Sequence, residues 1–198
     1  MPPFVPNFAA ALVLTYSPRD GAEDEGYADW VRRVDNPFFN AVPGIVRYTN
    51  WRIIASGGNV PYGYFDILGL QDLASFEHVW LNEDVRAFTA GWRDKWGAAP
   101  GTDSDLNSHV YLCERTSGKG SDWTNHVLFA PGATAEQAGN GFEDWRVVRP
   151  IKGDVRFHTL ALKYVADQDA FARWGEDSPA LSPTALGHCF AAPDEHTS

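Results

Sequence analysis

The sequence predicts an α+β chain in which one βαββαβ unit occurs twice and the second copy is shortened. Three observations carry this expectation. The first 118 residues read strand, helix, strand, strand, helix, strand; short segments of that stretch reappear in the same order later in the chain; and apolar and aromatic residues, 44% and 14%, are far too abundant for a solvated tail. The expected units are residues 1–118 and residues 119–198.

The elements follow from local pattern. ALVLTY, ending at Tyr16, is an apolar run closed by Ser17-Pro18-Arg19-Asp20-Gly21, a strand and a turn. Tyr27, Trp30, Val31 and Val34 then fall at helical spacing behind the acidic cluster Glu23 to Glu25, and Asn36-Pro37 is expected to stop the helix. Val42-Pro43-Gly44 turns the chain into the β-branched and aromatic run Ile45 to Ala55, which ends at Ser56-Gly57-Gly58-Asn59. Tyr62 to Leu70 is a third strand. Asp72 caps a helix carrying Leu73, Phe76 and Trp80, and a second helical piece from Asn82 carries Val85, Phe88, Trp92 and Trp96. His109 to Glu114 closes the first unit as a strand.

The echoes come in order. LVLTYSP is answered by HVLFAP, GYADW by GFEDW at 141–145, YFDILGL by RFHTLAL at 156–162, and SHVYL by GHCFA at 187–191. Chance matches have no reason to keep a common order. The spacing between partners shrinks along the chain, so the second copy is expected to lack residues in its middle strand, a loop and its second helix.

A tandem βαββαβ chain with a Pro-Gly turn before its second strand and aromatic-rich helices resembles the dimeric α+β barrel superfamily of ferredoxin-like folds. That superfamily has muconolactone isomerase-like, EthD-like and cofactor-free monooxygenase-like branches. The resemblance implies two antiparallel sheets closing a barrel inside one chain, helices outside, and one working pocket or two unlike ones. Pairing of the fused chain into a homodimer is the protein partner it leaves open.

Charge and motifs narrow the chemistry. A formal charge of −10 with no run of Lys or Arg argues against nucleic acid and an anionic membrane surface, while leaving room for a local Arg pocket that binds a small anion. Cys113 and Cys189 form neither a CxxC pair nor a disulfide framework and are expected to be reduced thiols. The start lacks a basic n-region, and no segment has membrane-spanning length, so a cytoplasmic protein is the expectation. HExxH, paired-His metal spacing, GxGxxG, P-loop and GxSxG patterns are all missing, which favours acid–base chemistry with no metal and no cofactor.

Side chains two apart on a strand share a face, so His109, Tyr111, Cys113 and Arg115 point together. Arg156 and His158 do likewise, with Leu160 and Leu162 continuing their face as an apolar floor. His126 opens a strand where the first copy has Leu12, and a buried imidazole there needs a partner. A strand-end histidine bonded to backbone, and surface ion pairs, are the bland readings of the same residues. On the long second strand Tyr48, Asn50 and Arg52 share one face and Arg47, Thr49 and Trp51 the other. The expected site therefore has His126, His158 and His109 as acid–base groups, Arg156 and Arg52 holding a carboxylate, and Tyr16, Tyr48 and Trp51 as walls.

The function expected first is a catabolic isomerase or ester or lactone hydrolase acting on a small conjugated carboxylate. The alternatives are a cofactor-independent aromatic monooxygenase and a non-catalytic EthD-like ligand-binding protein.

Overall fold

The structure, a computed structural model, describes residues 8–118, 124–177 and 184–193. The first seven residues, the expected junction just after residue 118, and His196 lie outside them.

Eight antiparallel strands close a barrel in the order β1-β3-β2-β8-β5-β7-β6-β4. The first half supplies β1 (Ala10–Tyr16), β2 (Ile45–Gly57), β3 (Tyr64–Leu70) and β4 (His109–Ser117). The second half supplies β5 (His126–Pro131), β6 (Glu143–Lys152), β7 (Thr159–Val165) and β8 (Thr184–Ala191). Each half thus contributes four strands in the spatial order fourth, first, third, second. The halves join where β2 pairs with β8 and β4 with β6, so each second strand meets the other half's fourth. Closure removes every free sheet edge, which is why a chain this rich in β-branched and aromatic residues gains from holding both copies together.

Alternation then sorts the side chains. Inward-facing Val13, Trp51, Phe65, Ile67, Tyr111, Val127, Phe129, Leu160 and Leu162 form one interior core drawn from both halves. At its centre the Phe65 ring lies parallel to Trp51, 5.9 Å away and 2° off, and stacks 4.3 Å from Phe129 of the second half. Gly187 on β8 is required here: a Cβ at that position would stand 2.5 Å from the Phe65 ring.

Outward-facing residues need helices to cover them, and the halves differ in what covers them. The first half has α1 (Tyr27–Trp30), α2 (Asn36–Asn40), α3 (Ser75–Trp80), α4 (Glu83–Trp96) and the short α5 (Asp103–Leu106). Among the described residues the second has the one-turn α6 (Ala135–Ala138) and α7 (Ala170–Asp177), and small side chains such as Ala130, Ala133, Ala138 and Ala161 fill its outer face.

Three local expectations change. Asn36-Pro37 does not end the first helix: a π-helical turn over Val31–Asp35 links α1 to α2, and Pro37 sits in the first turn of α2, where a missing N–H costs little. GFEDW is not a helical counterpart of GYADW. It opens β6, because the residues after it, RVVRPIK, favour an extended chain, so the second copy has lost most of its first helix while keeping a ten-residue second strand. Strand β7 starts at Thr159, which leaves Arg156 and His158 in the connection before it.

Candidate functional site

The outer face of the first half carries a cavity of about 1160 Å³. Its floor is made by outward residues of β1 and β3 with Tyr48 of β2, and its roof by Val85, Phe88, Thr89 and Trp92 of α4. The roof is placed by a strong helix start: the Asn82 side chain accepts from the backbone N–H groups of Asp84 and Val85, at 2.9 and 3.1 Å. Aromatic rings brace it. Phe88 stacks on Phe38 at 4.0 Å and 4°, and Trp92 meets Tyr16 edge-on at 5.6 Å.

Two carboxyl groups lie on this apolar floor. Asp66 comes from the middle of β3 and is 2% exposed; Asp35 comes from the π-helical turn and is 4% exposed. Tyr48 stands between them, its Oη 2.8 Å from Asp66 Oδ2 and 3.0 Å from Asp35 Oδ2. Tyr16 donates to Asp66 Oδ1 at 3.3 Å, and Tyr27 donates to Tyr16 at 3.1 Å. Asn50 reaches Asp35 Oδ2 at 3.4 Å and accepts from Asn36 at 2.9 Å. A phenol has one hydrogen and can donate it to only one of its two carboxyl neighbours. The other must bring its own proton for the contact to be favourable.

The electrostatics agree with that count. Burial pushes Asp35 up to about 7, against the hydrogen bonds from Tyr48 and Asn50 that favour its ionised form. Asp66 is pushed well above the carboxylate range, first by burial and then by the like charge of Asp35. Burial raises Tyr16 and Tyr48 as well, with the neighbouring carboxyls adding to it, so both remain phenols. Both shifts favour protonation, and as pH rises through about 7 the pair passes to one carboxylate and one carboxylic acid, an acid and a base across a single tyrosine.

A stability consequence follows. Asp35 binds its proton more tightly in the folded chain than in the unfolded one, where its pKa is ~3.9. Its favourable contribution is complete below that value and is lost as pH rises towards about 7. Asp35→Asn is expected to gain stability relative to wild type across this window, read as diverging urea midpoints, and equal midpoints throughout would contradict it.

The expected site residues are spread over the molecule. Tyr16 and Tyr48 do line the cavity, as walls and as members of the network. His109 borders one end of the cavity with Asp105, Ser108 and Lys152; it is 4% exposed, stacks on Tyr111 at 5.8 Å, and is held low, chiefly by burial. Trp51 instead faces the barrel interior, the side opposite Tyr48. Arg52 lies outside the cavity, paired with Glu23 at 2.6 Å and bonded to Tyr64. Arg156 and His158 are exposed. His126 is at the far end of β7 from His158 and pairs across the ladder with His188. The three histidines do not converge.

Asp35 and Asp66 escaped the sequence reading as functional groups. Asp66 had a signal, an acid in the centre of the otherwise apolar YFDILGL; Asp35 had none, because nothing in its neighbourhood predicts a π-helical turn.

A family model described as REDY-like protein HapK matches residues 10–99, somewhat under half of the chain. That span runs from β1 through α4 and contains the whole Asp35–Tyr48–Asp66 network. No curated protein matches by sequence. Among solved structures, an anthrone oxidase-like protein is similar at TM-score 0.56 and 7% identity, over 95% of this chain and 94% of its own. A candidate monooxygenase from Fusobacterium nucleatum subsp. nucleatum is similar at TM-score 0.58 and 10% identity, over 93% and 94%. A candidate chlorite dismutase is similar at TM-score 0.52 and 12% identity, over 92% and 94%. Near-complete coverage on both sides means that these chains share the architecture over their full length.

Proposed function

We propose that this chain, which has the dimeric α+β barrel fold, is an oxygen-dependent oxidase or monooxygenase of phenolic, anthrone-like aromatic compounds. The observation that carries the reading is the pair of buried carboxyls sharing Tyr48 on the floor of an aromatic-roofed cavity. The descriptions of two full-length structural neighbours, oxidase-like and monooxygenase, favour this over an isomerase or hydrolase. The scatter of His109, His126 and His158 points the same way, since the isomerase reading relied on them together.

The chemistry needs a base in a dry site. An anthrone has an acidic CH₂ group flanked by two rings, and its anion is electron-rich enough to reduce O₂ directly. The ionised member of the pair takes one proton from that carbon, with Tyr48 and the neutral carboxyl stabilising the charge that develops. The carbanion passes electrons to O₂ and forms a C–O bond, giving a hydroperoxide after protonation by the neutral carboxyl. Loss of the remaining C–H proton to the base then breaks the O–O bond, leaving a ketone and water. Carbon is oxidised from CH₂ to C=O, and O₂ is reduced by four electrons with one atom retained in the product. Exclusion of water by Phe88 and Trp92 lowers the cost of generating the anion only if the base is itself desolvated, as Asp35 and Asp66 are.

The test is oxygen uptake with 1,8-dihydroxyanthrone under ¹⁸O₂, followed by mass analysis of the product. Uptake above autoxidation, with one labelled oxygen in the quinone, is expected. Uptake equal to autoxidation across a panel of anthrones and reduced naphthols, or tight binding of these compounds with no turnover, would defeat the reading.

A further inference from the structure

Two of the histidines that the oxidase site does not use sit together on the outer face of the second half. His126 on β5 is directly opposite His188 on β8 in the antiparallel ladder, so the backbone holds their Cβ atoms face to face. His188 Nδ1 and His126 Nε2 are 3.3 Å apart, with ring centroids at 4.9 Å. Two imidazole nitrogens bound at 2.0–2.1 Å to a tetrahedral Zn²⁺ stand about 3.3–3.4 Å apart, which is the spacing already present. His188 is exposed and His126 half-buried, so solvent can complete a coordination sphere from outside.

The surrounding charges are met in pairs. Asp167 is bridged to Arg173 at 2.8 Å. Arg52, opposite His188 across β2 and β8, is met by Glu23 at 2.6 Å, with Tyr64 as a second partner. Among the described residues no set of three or more His, Cys, Asp or Glu converges, so the protein offers two nitrogen ligands and water supplies the rest.

We propose that His126 and His188 form a surface chelate for a divalent transition metal of the Zn²⁺ or Ni²⁺ type, bridging β5 and β8. Binding replaces the direct contact between the two ring nitrogens. Because the ligands are on adjacent strands, the cation ties two strands of the second half together without touching the cavity of the first.

Chelator-treated full-length chain is titrated with ZnCl₂ by calorimetry near pH 7.5, beside His126→Ala, His188→Ala and, as a control, His78→Ala on α3. Saturable one-to-one binding is expected, with affinity falling at least about tenfold in either of the first two variants and unchanged in the third. Circular dichroism establishes that the variants are folded. Zinc should also raise the melting temperature of wild type and not of the double variant His126→Ala, His188→Ala. No saturable binding up to about 1 mM, or equal affinity in the double variant, overturns the proposal. Neither result bears on oxygen uptake, so the two readings fail independently.

Discussion

Asp66→Asn is expected to lower kcat for anthrone oxidation by about 10²–10⁴-fold with little change in KM, the range over which a positioned acid or base normally contributes. Asn keeps the shape of the side chain and can still bond to Tyr48 and Tyr16, so the cavity and the substrate's apolar contacts persist. What disappears is the second carboxyl, and with it the proton that the pair holds across Tyr48 at 2.8 and 3.0 Å. That loss corresponds to about 3–5 kcal/mol of transition-state stabilisation. A steady-state oxygen-electrode assay over a range of substrate concentration separates kcat from KM, and a melting temperature no lower than that of wild type shows that folding is intact. A rate within about threefold of wild type would remove Asp66 from the chemistry and with it the mechanism proposed above.

Phe65→Ala is expected to destabilise the chain by about 3–5 kcal/mol, the usual cost of truncating a fully buried aromatic. The ring is 0% exposed, stacked between Trp51 of its own half and Phe129 of the other, and it fills the space that Gly187 leaves open. Its removal opens a void at the point where the two halves share one core, and neither half can collapse into it without shifting a strand of a closed barrel. In a chain of this size the melting temperature should fall by about 6–20 °C. Phe142→Ala, under the second half's outer face and 6% exposed, serves as the comparison and is expected to cost less, because it contacts one half only. Equal losses would show that the shared interior is not where the halves are tied.

Much of the architecture was readable in the linear chain because strands and helices are punctuated locally. The runs around Val13, Tyr48, Ile67, Tyr111 and Phe129 have strand composition and turn residues at their ends, and their doubled order implied the doubled fold. Two of the misread places have the same origin. GFEDW and GYADW are nearly alike over five residues, yet one opens a strand and the other a helix, since the residues that follow decide and the motif does not. Asn36-Pro37 looks like a helix stop until the π-helical turn before it shifts the proline into a first turn, where it fits.

The candidate site was half legible. Tyr16 and Tyr48 were recognisable as pocket walls because each is a polar ring within a strand run; His109, expected as an acid–base group, stands at the cavity's border. The expectation for His126 rests on its standing where the first copy has Leu12, and that for His158 on a strand face shared with Arg156; neither pattern says which end of β7 a side chain occupies, and register does. Asp66 was visible only as an oddity in an apolar strand. Asp35 becomes its partner through a contact spanning 31 positions, made when β2 lays Tyr48 between them.

By itself the sequence determined the repeated βαββαβ order, the apolar character of both strand faces, and a net charge of −10, because these depend on composition and short-range pattern. Tertiary structure alone decided that β2 would find β8 and β4 would find β6, which outer face would keep a hollow, and which carboxyls would share a proton. Those outcomes depend on distances between residues far apart in the chain and on the desolvation that closure imposes, and neither quantity exists until the barrel is formed.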